Sequence, residues 1–269
     1  MTPTETPLAT HRIVDFQRPP VAETALGVVF APIAKWNLFH FGLFWEEVRQ
    51  HYPTTELKGA AGPGELRFSA AEGVDFNALP VRGLFVDPTG TQLIQVQRNA
   101  FIRNWRQTER TTEYEHYENV RPLFERDWKT FTGFLQAESL GEVEVVQCEV
   151  TYINHLVRGR EWENFEDVSR IFRVWSGEAV GQLRASQMVS FMTAYELPAN
   201  AGRLQVVVQP GLRKSDSKEI IQFVLTATGK PSGSRVSDIL QWLDVGHVAV
   251  VTSFRDLTTP EMHKHWGIK

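Results

Sequence analysis

Cys148 and His155 stand in one short stretch, Gln147-Cys148-Glu149-Val150-Thr151-Tyr152-Ile153-Asn154-His155. A thiol and an imidazole are the partners of a nucleophilic pair, in which the imidazole takes the thiol proton. The alternation and the β-branched and aromatic residues over 142–157 predict a strand, whose successive side chains point to opposite faces. The odd offset then puts Cys148 with Val146, Val150, Tyr152, Asn154 and Leu156. His155 falls on the other face, with Gln147, Glu149, Thr151 and Ile153. No thiol–imidazole pair can form on this strand, and Cys148 reads as a small buried hydrophobe. Glu149 and His155 share a face, but six residues of strand span roughly 20 Å, so they form no dyad.

What the polar face carries is amide, carboxylate and hydroxyl. Gln95 and Gln97 alternate with Ile94 and Val96 and sit opposite the apolar face of a second strand. If the two strands share a sheet, Gln95, Gln97, Gln147, Glu149 and Thr151 form one hydrogen-bonding patch, with His155 at its end. Such a patch suits recognition of a ligand or peptide. The competing reading is a solvated outer face tied by cross-strand hydrogen bonds. Arg103 and Trp105 follow Gln97 in the same segment; both types favour partner contacts, although Trp105 also suits a core. His247, between Leu243 and Val250, reads as a satisfied core histidine. His263 and His265 are two apart, and helical positions two apart do not share a face, so they make no zinc site. Phosphate-loop and nucleophile-elbow patterns are missing. The run Gly59-Ala60-Ala61-Gly62-Pro63-Gly64 has the wrong spacing for one and reads as a connection. No catalytic residue, metal ligand or cofactor site is assigned.

The elements that must position these residues follow from periodicity. Residues 1–20 read as a loose extended arm ending in Arg18-Pro19-Pro20. Strands are expected over 23–34, over 82–87 with 92–106 as a hairpin, and over 142–157, 182–197, 202–213 and 218–228. A bulge or turn is expected near Arg98-Asn99. Helices are expected over 38–52, 116–138, 165–175 and 235–257, with a short turn over 260–266. Pro122 suits a first turn best, which would move the second helix start towards Arg121. Residues 55–80 read as a long loop. The fold class is α+β: antiparallel sheet with helices packed on one face, in two similar β-α-β-β(-β)-α halves. The halves are 21–140 and 141–269, as two domains or one continuous body. The alternative is a cup in which the C-terminal sheet grips its long last helix.

Composition bounds the rest. Of the 269 residues 42% are hydrophobic, which excludes disorder and predicts a sizeable core. The net charge is −4 without a Lys/Arg run, so nucleic-acid binding is not expected. One cysteine excludes a disulfide within the chain and a cysteine-based zinc site. The first ten residues are polar and carry no signal-peptide core, and no apolar run approaches the ~20 residues of a membrane span. The expectation is a cytoplasmic protein without a membrane partner.

Several stretches together resemble a sporadically distributed bacterial family of uncharacterised proteins. They are Phe16-Gln17-Arg18-Pro19-Pro20-Val21-Ala22-Glu23; Ile94 to Gln97 with Phe101 and Asn104-Trp105; Gln147 to His155; and Leu257 to His263 with Trp266-Gly267. The resemblance covers the chain from about residue 16 to its end. It carries no activity over; its scattered distribution implies an accessory role in mobile or defence gene sets.

The leading functional expectation is a non-enzymatic binding or interaction module for a protein or small-molecule partner. The alternative is a small-molecule cup, with or without catalysis, lined by Arg184, Gln205 and Gln222. A third reading is a homodimer contact through tail aromatics such as Trp266.

Overall fold

The computed structural model describes residues 14–59, 81–108, 113–178, 181–183 and 186–269. Their chain order is β1 (Val21–Phe30), α1 (Phe39–Val48), β2 (Thr54–Gly59), β3 (Val81–Val86), β4 (Gln92–Gln97), β5 (Ala100–Arg106), α2 (Tyr117–Ala137), β6 (Val145–Val157), α3 (Val168–Ile171), β7 (Phe191–Leu197), β8 (Gly202–Leu212), β9 (Glu219–Gly229), α4 (Val236–Leu257) and α5 (Pro260–Trp266). The strands form one antiparallel sheet in the order β2-β3-β4-β5-β1-β6-β9-β8-β7. The fold is α+β. Its two halves share one plan: a first strand, a helix, then a meander whose last strand returns beside the first. So β5 lies beside β1, and β9 beside β6. The chain divides into two compact units. One holds the residues up to Thr24 with Val150–Gly229 and Asp244–Lys269; the other holds Ala25–Glu149 with Lys230–Leu243.

In the unit of Ala25–Glu149, α1 and α2 pack on one sheet face through aromatic rings. Phe41, Phe44 and Val48 recur at helical spacing and are buried, as are Val120, Phe124, Trp128, Phe131 and Leu135 of α2. Phe44 of α1 meets Phe85 of β3 edge-on at 5.3 Å and Phe131 of α2 at 5.7 Å. Phe101 of β5 lies 5.1 Å from Phe131. Aromatic pairs add roughly 0.5–1.5 kcal/mol each beyond their buried area, which makes this cluster the anchor of the unit.

In the other unit, β7, β8 and β9 pair in register, with Val206 opposite Leu225 and Val208 opposite Phe223. That face is capped by Phe254 of α4, 5.6 Å from Phe223, and by Phe172, 4.9 Å from Phe223. Thr259 caps α5 by accepting from the Met262 amide, and Pro260 occupies the first turn.

The structure corrects several expectations. Residues 55–59 of the expected loop belong to an exposed edge strand, Thr54–Gly59, paired with β3; charged and polar residues obscured its alternation. Residues 60–80 of that expected loop lie outside the described residues. The turn expected near Arg98-Asn99 is present; it sets Gln97 opposite Ala100 and divides the 92–106 segment into two strands. α2 starts at Tyr117, leaving Pro122 inside the helix. The 165–175 helix ends at Ile171, after a 3₁₀ turn over Phe165–Asp167. The 182–197 strand begins only at Phe191. Of the expected arm, residues 14–20 are described, and Phe16 is buried against Phe254 and Trp266. The Gln17 and Arg18 amides donate to the Gly267 and Trp266 carbonyls. Trp266 itself is 1% exposed, so it offers no dimer contact.

Candidate functional site

The site is built on the loop that follows β6. Glu161 anchors it: its side chain is fully buried, and Oε2 accepts from the Val157 amide at 2.7 Å. Oε1 pairs with Arg160 Nε at 2.6 Å, with His265 Nε2 3.6 Å away. A buried carboxylate is tolerated only when matched in this way. Trp162 Nε1 donates to the Leu156 carbonyl at 2.9 Å, and the Gly159 amide donates to the Trp162 carbonyl at 2.8 Å. The loop is therefore folded back on the strand end.

These contacts set three groups in a row. The Arg158 guanidinium lies over the Trp162 ring at 5.7 Å, and the Trp162 ring lies 5.1 Å from Phe165. Arg158 is held at both ends: Nε donates to the Glu163 carbonyl at 2.9 Å, and Nη1 pairs with Glu219 of β9. The Glu219 carboxylate keeps the guanidinium firmly protonated. Asn164 and Asp167 form a reciprocal cap on the 3₁₀ turn that carries Phe165. Amide donation from Asn164 and Glu163 holds the Asp167 carboxyl below the usual range.

Between this loop and the ends of β8 and β9 runs an open groove of about 580 Å³. Its apolar lining is Trp162, Phe165, Pro210, Leu212 and Ile220; its carboxylates are Glu163, Glu166 and Glu219. Leu212 is 65% exposed, a large apolar side chain left in water at the rim. The arrangement can hold an apolar group against aromatic rings while charged groups fix its surroundings.

The residues singled out in the sequence fall elsewhere. Gln95 and Gln97 are buried, and β5 and β1 separate their strand from β6, so they do not join Gln147 and Glu149 in one patch. Gln95 is committed inside the sheet: it donates to Asn104 Oδ1 at 2.6 Å and accepts from Arg82 Nη1 at 2.7 Å. Gln147 and Glu149 are half-buried on β6. Thr151 is buried and shares a hydrogen bond with Thr226 of β9 at 3.0 Å. His155 is half-buried; burial, then the charge of Arg213, lowers its pKa. Trp105 is 1% exposed and packs on Tyr114.

Arg103 is also 1% exposed and belongs to a buried network. Its Nε donates to Asp127 Oδ2 at 3.1 Å and Nη2 to Gln92 Oε1 at 2.7 Å. Tyr52 donates to the same Asp127 oxygen at 2.6 Å, and Arg126 pairs with Asp127 Oδ1. Burial, and then the Asp127 charge, push the Tyr52 pKa far up, so its hydroxyl stays protonated. The network ties α2 to β4, β5 and the segment after α1. It is an internal brace.

Cys148 is fully buried, and desolvation pushes its thiol up to about 12. His247 is a core histidine, its Nδ1 2.9 Å from the Tyr152 hydroxyl. His263 Nε2 lies 3.0 Å from Thr258 Oγ1. Among the described residues no group of three or more His, Cys, Asp or Glu could hold a metal ion. No helix among them is long and apolar enough to cross a membrane.

The cup alternative needs correction. Register places Gln205 opposite Thr226 and Gln222 opposite Gln209, on the face away from Phe223 and the α4 ring that covers it. Gln205 and Gln222 therefore do not line a space under α4. Arg184 lies outside the described residues. The groove residues were missed because they come from segments distant in sequence. The local signal was Arg158-Gly159-Arg160-Glu161-Trp162, an indole set among charges. The chain matches no protein-family model and no curated protein.

Proposed function

We propose that this chain is a non-enzymatic recognition module that binds an extended segment of a partner protein in the groove beside Trp162 and Phe165. The observation that carries this is one groove lined by both the preformed Arg158–Trp162–Phe165 row and the exposed Leu212. A preformed wall that presents Phe165 beside an exposed aliphatic side chain gives an anchor site at small cost in ordering. The reading places the module in the cytoplasm, in line with a single, buried, unpaired cysteine. It keeps the accessory role and the family membership implied by the resemblance as part of the same proposal.

The test is selection from a random peptide display library on the intact protein and on Leu212→Arg. The variant should unfold at the wild-type temperature, because Leu212 is exposed. Peptides enriched on the wild type and lost on the variant support the groove. Enrichment of the same peptides on both proteins, or none on either, overturns it.

A further inference from the structure

We infer that the segment bound in this groove is basic: an aliphatic anchor flanked by arginine or lysine. The inference rests on the groove being a binding site, and it adds the chemistry of the occupant. Among the described residues, three carboxylates line the groove, Glu163, Glu166 and Glu219, against one cation, Arg158. That cation is already matched, because Arg158 Nη1 pairs with Glu219 and its Nε is taken by the Glu163 carbonyl. Among the described residues, neither the Glu163 nor the Glu166 side chain takes part in an ion pair, and both are exposed. Glu163 shares the charge of Arg158 with Glu219, so the described lining carries a net negative charge beside its apolar residues.

Like charges lining one groove repel one another and are relieved by a cation brought in from outside. An anionic occupant, such as a phosphate or an acidic peptide, would add to the repulsion. A purely polar cation, such as a polyamine, would meet the carboxylates but leave Leu212 and Phe165 in water. A basic peptide with an aliphatic anchor answers both features. Arginine fits best, because its planar guanidinium meets a carboxylate through two parallel hydrogen bonds.

The test is fluorescence anisotropy with three labelled probes: a peptide alternating leucine and arginine, its leucine–glutamate counterpart, and spermine. The proteins are the wild type, the double variant Glu163→Gln/Glu166→Gln, and Leu212→Ser. The leucine–arginine peptide should bind the wild type and weaken about tenfold or more on the double variant and at raised salt. Leu212→Ser should weaken it as well. The leucine–glutamate peptide and spermine should bind far less. If the leucine–glutamate peptide binds as well, or the double variant binds the basic peptide unchanged, the inference of a basic occupant is overturned. The groove itself still stands in that case, provided Leu212→Ser weakens binding. If Leu212→Ser changes no peptide's binding, the groove reading falls as well.

Discussion

Arg103 and Asp127 meet at 3.1 Å with side chains 1% and 4% exposed, a guanidinium and a carboxylate almost wholly out of water. Each makes the other's burial tolerable, and Tyr52 and Arg126 complete the carboxylate's hydrogen bonds. Removing one partner leaves the other charge buried and unmatched. Asp127→Ala should cost about 3–5 kcal/mol of stability. Tyr52→Phe removes one hydrogen bond and should cost about 1 kcal/mol or somewhat more. The double change Arg103→Met/Asp127→Leu should cost less than Asp127→Ala alone. Urea denaturation of the purified variants measures all three.

His155 should make stability depend on pH. Burial and Arg213 hold its folded pKa below the ordinary ~6.5. The unfolded chain then takes up a proton at a pH where the folded protein does not. Stability falls as pH drops through ~6.5, and the loss is complete below the folded value. His263, also lowered by burial, acts in the same direction. His155→Gln should show a shallower fall in stability between pH 7 and pH 5, with a remaining slope from His263. Unfolding midpoints across that range decide it; an unchanged slope would contradict the assignment.

Cys148 should resist thiol reagents in the native state. The thiolate is the reactive form, and burial pushes the thiol up to about 12. Labelling with a disulfide reagent at pH 8 should proceed only through opening of the structure. Its rate should rise with denaturant in step with unfolding. Fast stoichiometric labelling without denaturant would show that the site is open.

Two glycines should respond oppositely to alanine. Gly202 has φ +137°, and a Cβ there would lie 2.0 Å from the Thr228 carbonyl oxygen across the β8–β9 pair. Gly202→Ala should destabilise by more than about 2 kcal/mol. Gly42 sits within α1 with nothing within 4 Å of an added Cβ. Gly42→Ala should stabilise by up to about 1 kcal/mol through helix propensity. Thermal and urea unfolding of both variants tests the pair.

The sequence alone determined what depends on near neighbours. Strand parity in 145–157 separates Cys148 from His155, and from Gln147 to Leu156 burial follows that parity except at Thr151, which is buried. The helical spacing of Phe124, Trp128, Phe131 and Leu135 marks the face of α2 that meets the sheet. The strand–helix–meander plan of both halves was legible for the same reason: periodicity is written in consecutive residues. β2 was not legible, because an exposed edge strand carries no buried alternation. Which strands become neighbours was decided only in three dimensions. Gln95 and Gln147 have the same chemistry on paper, yet β5 and β1 come between their strands, and Gln95 spends its amide on Asn104 and Arg82. The groove likewise exists only because the loop after β6 closes on the distant ends of β8 and β9. Pairing order and loop closure join residues far apart in the chain, and no local spacing encodes them.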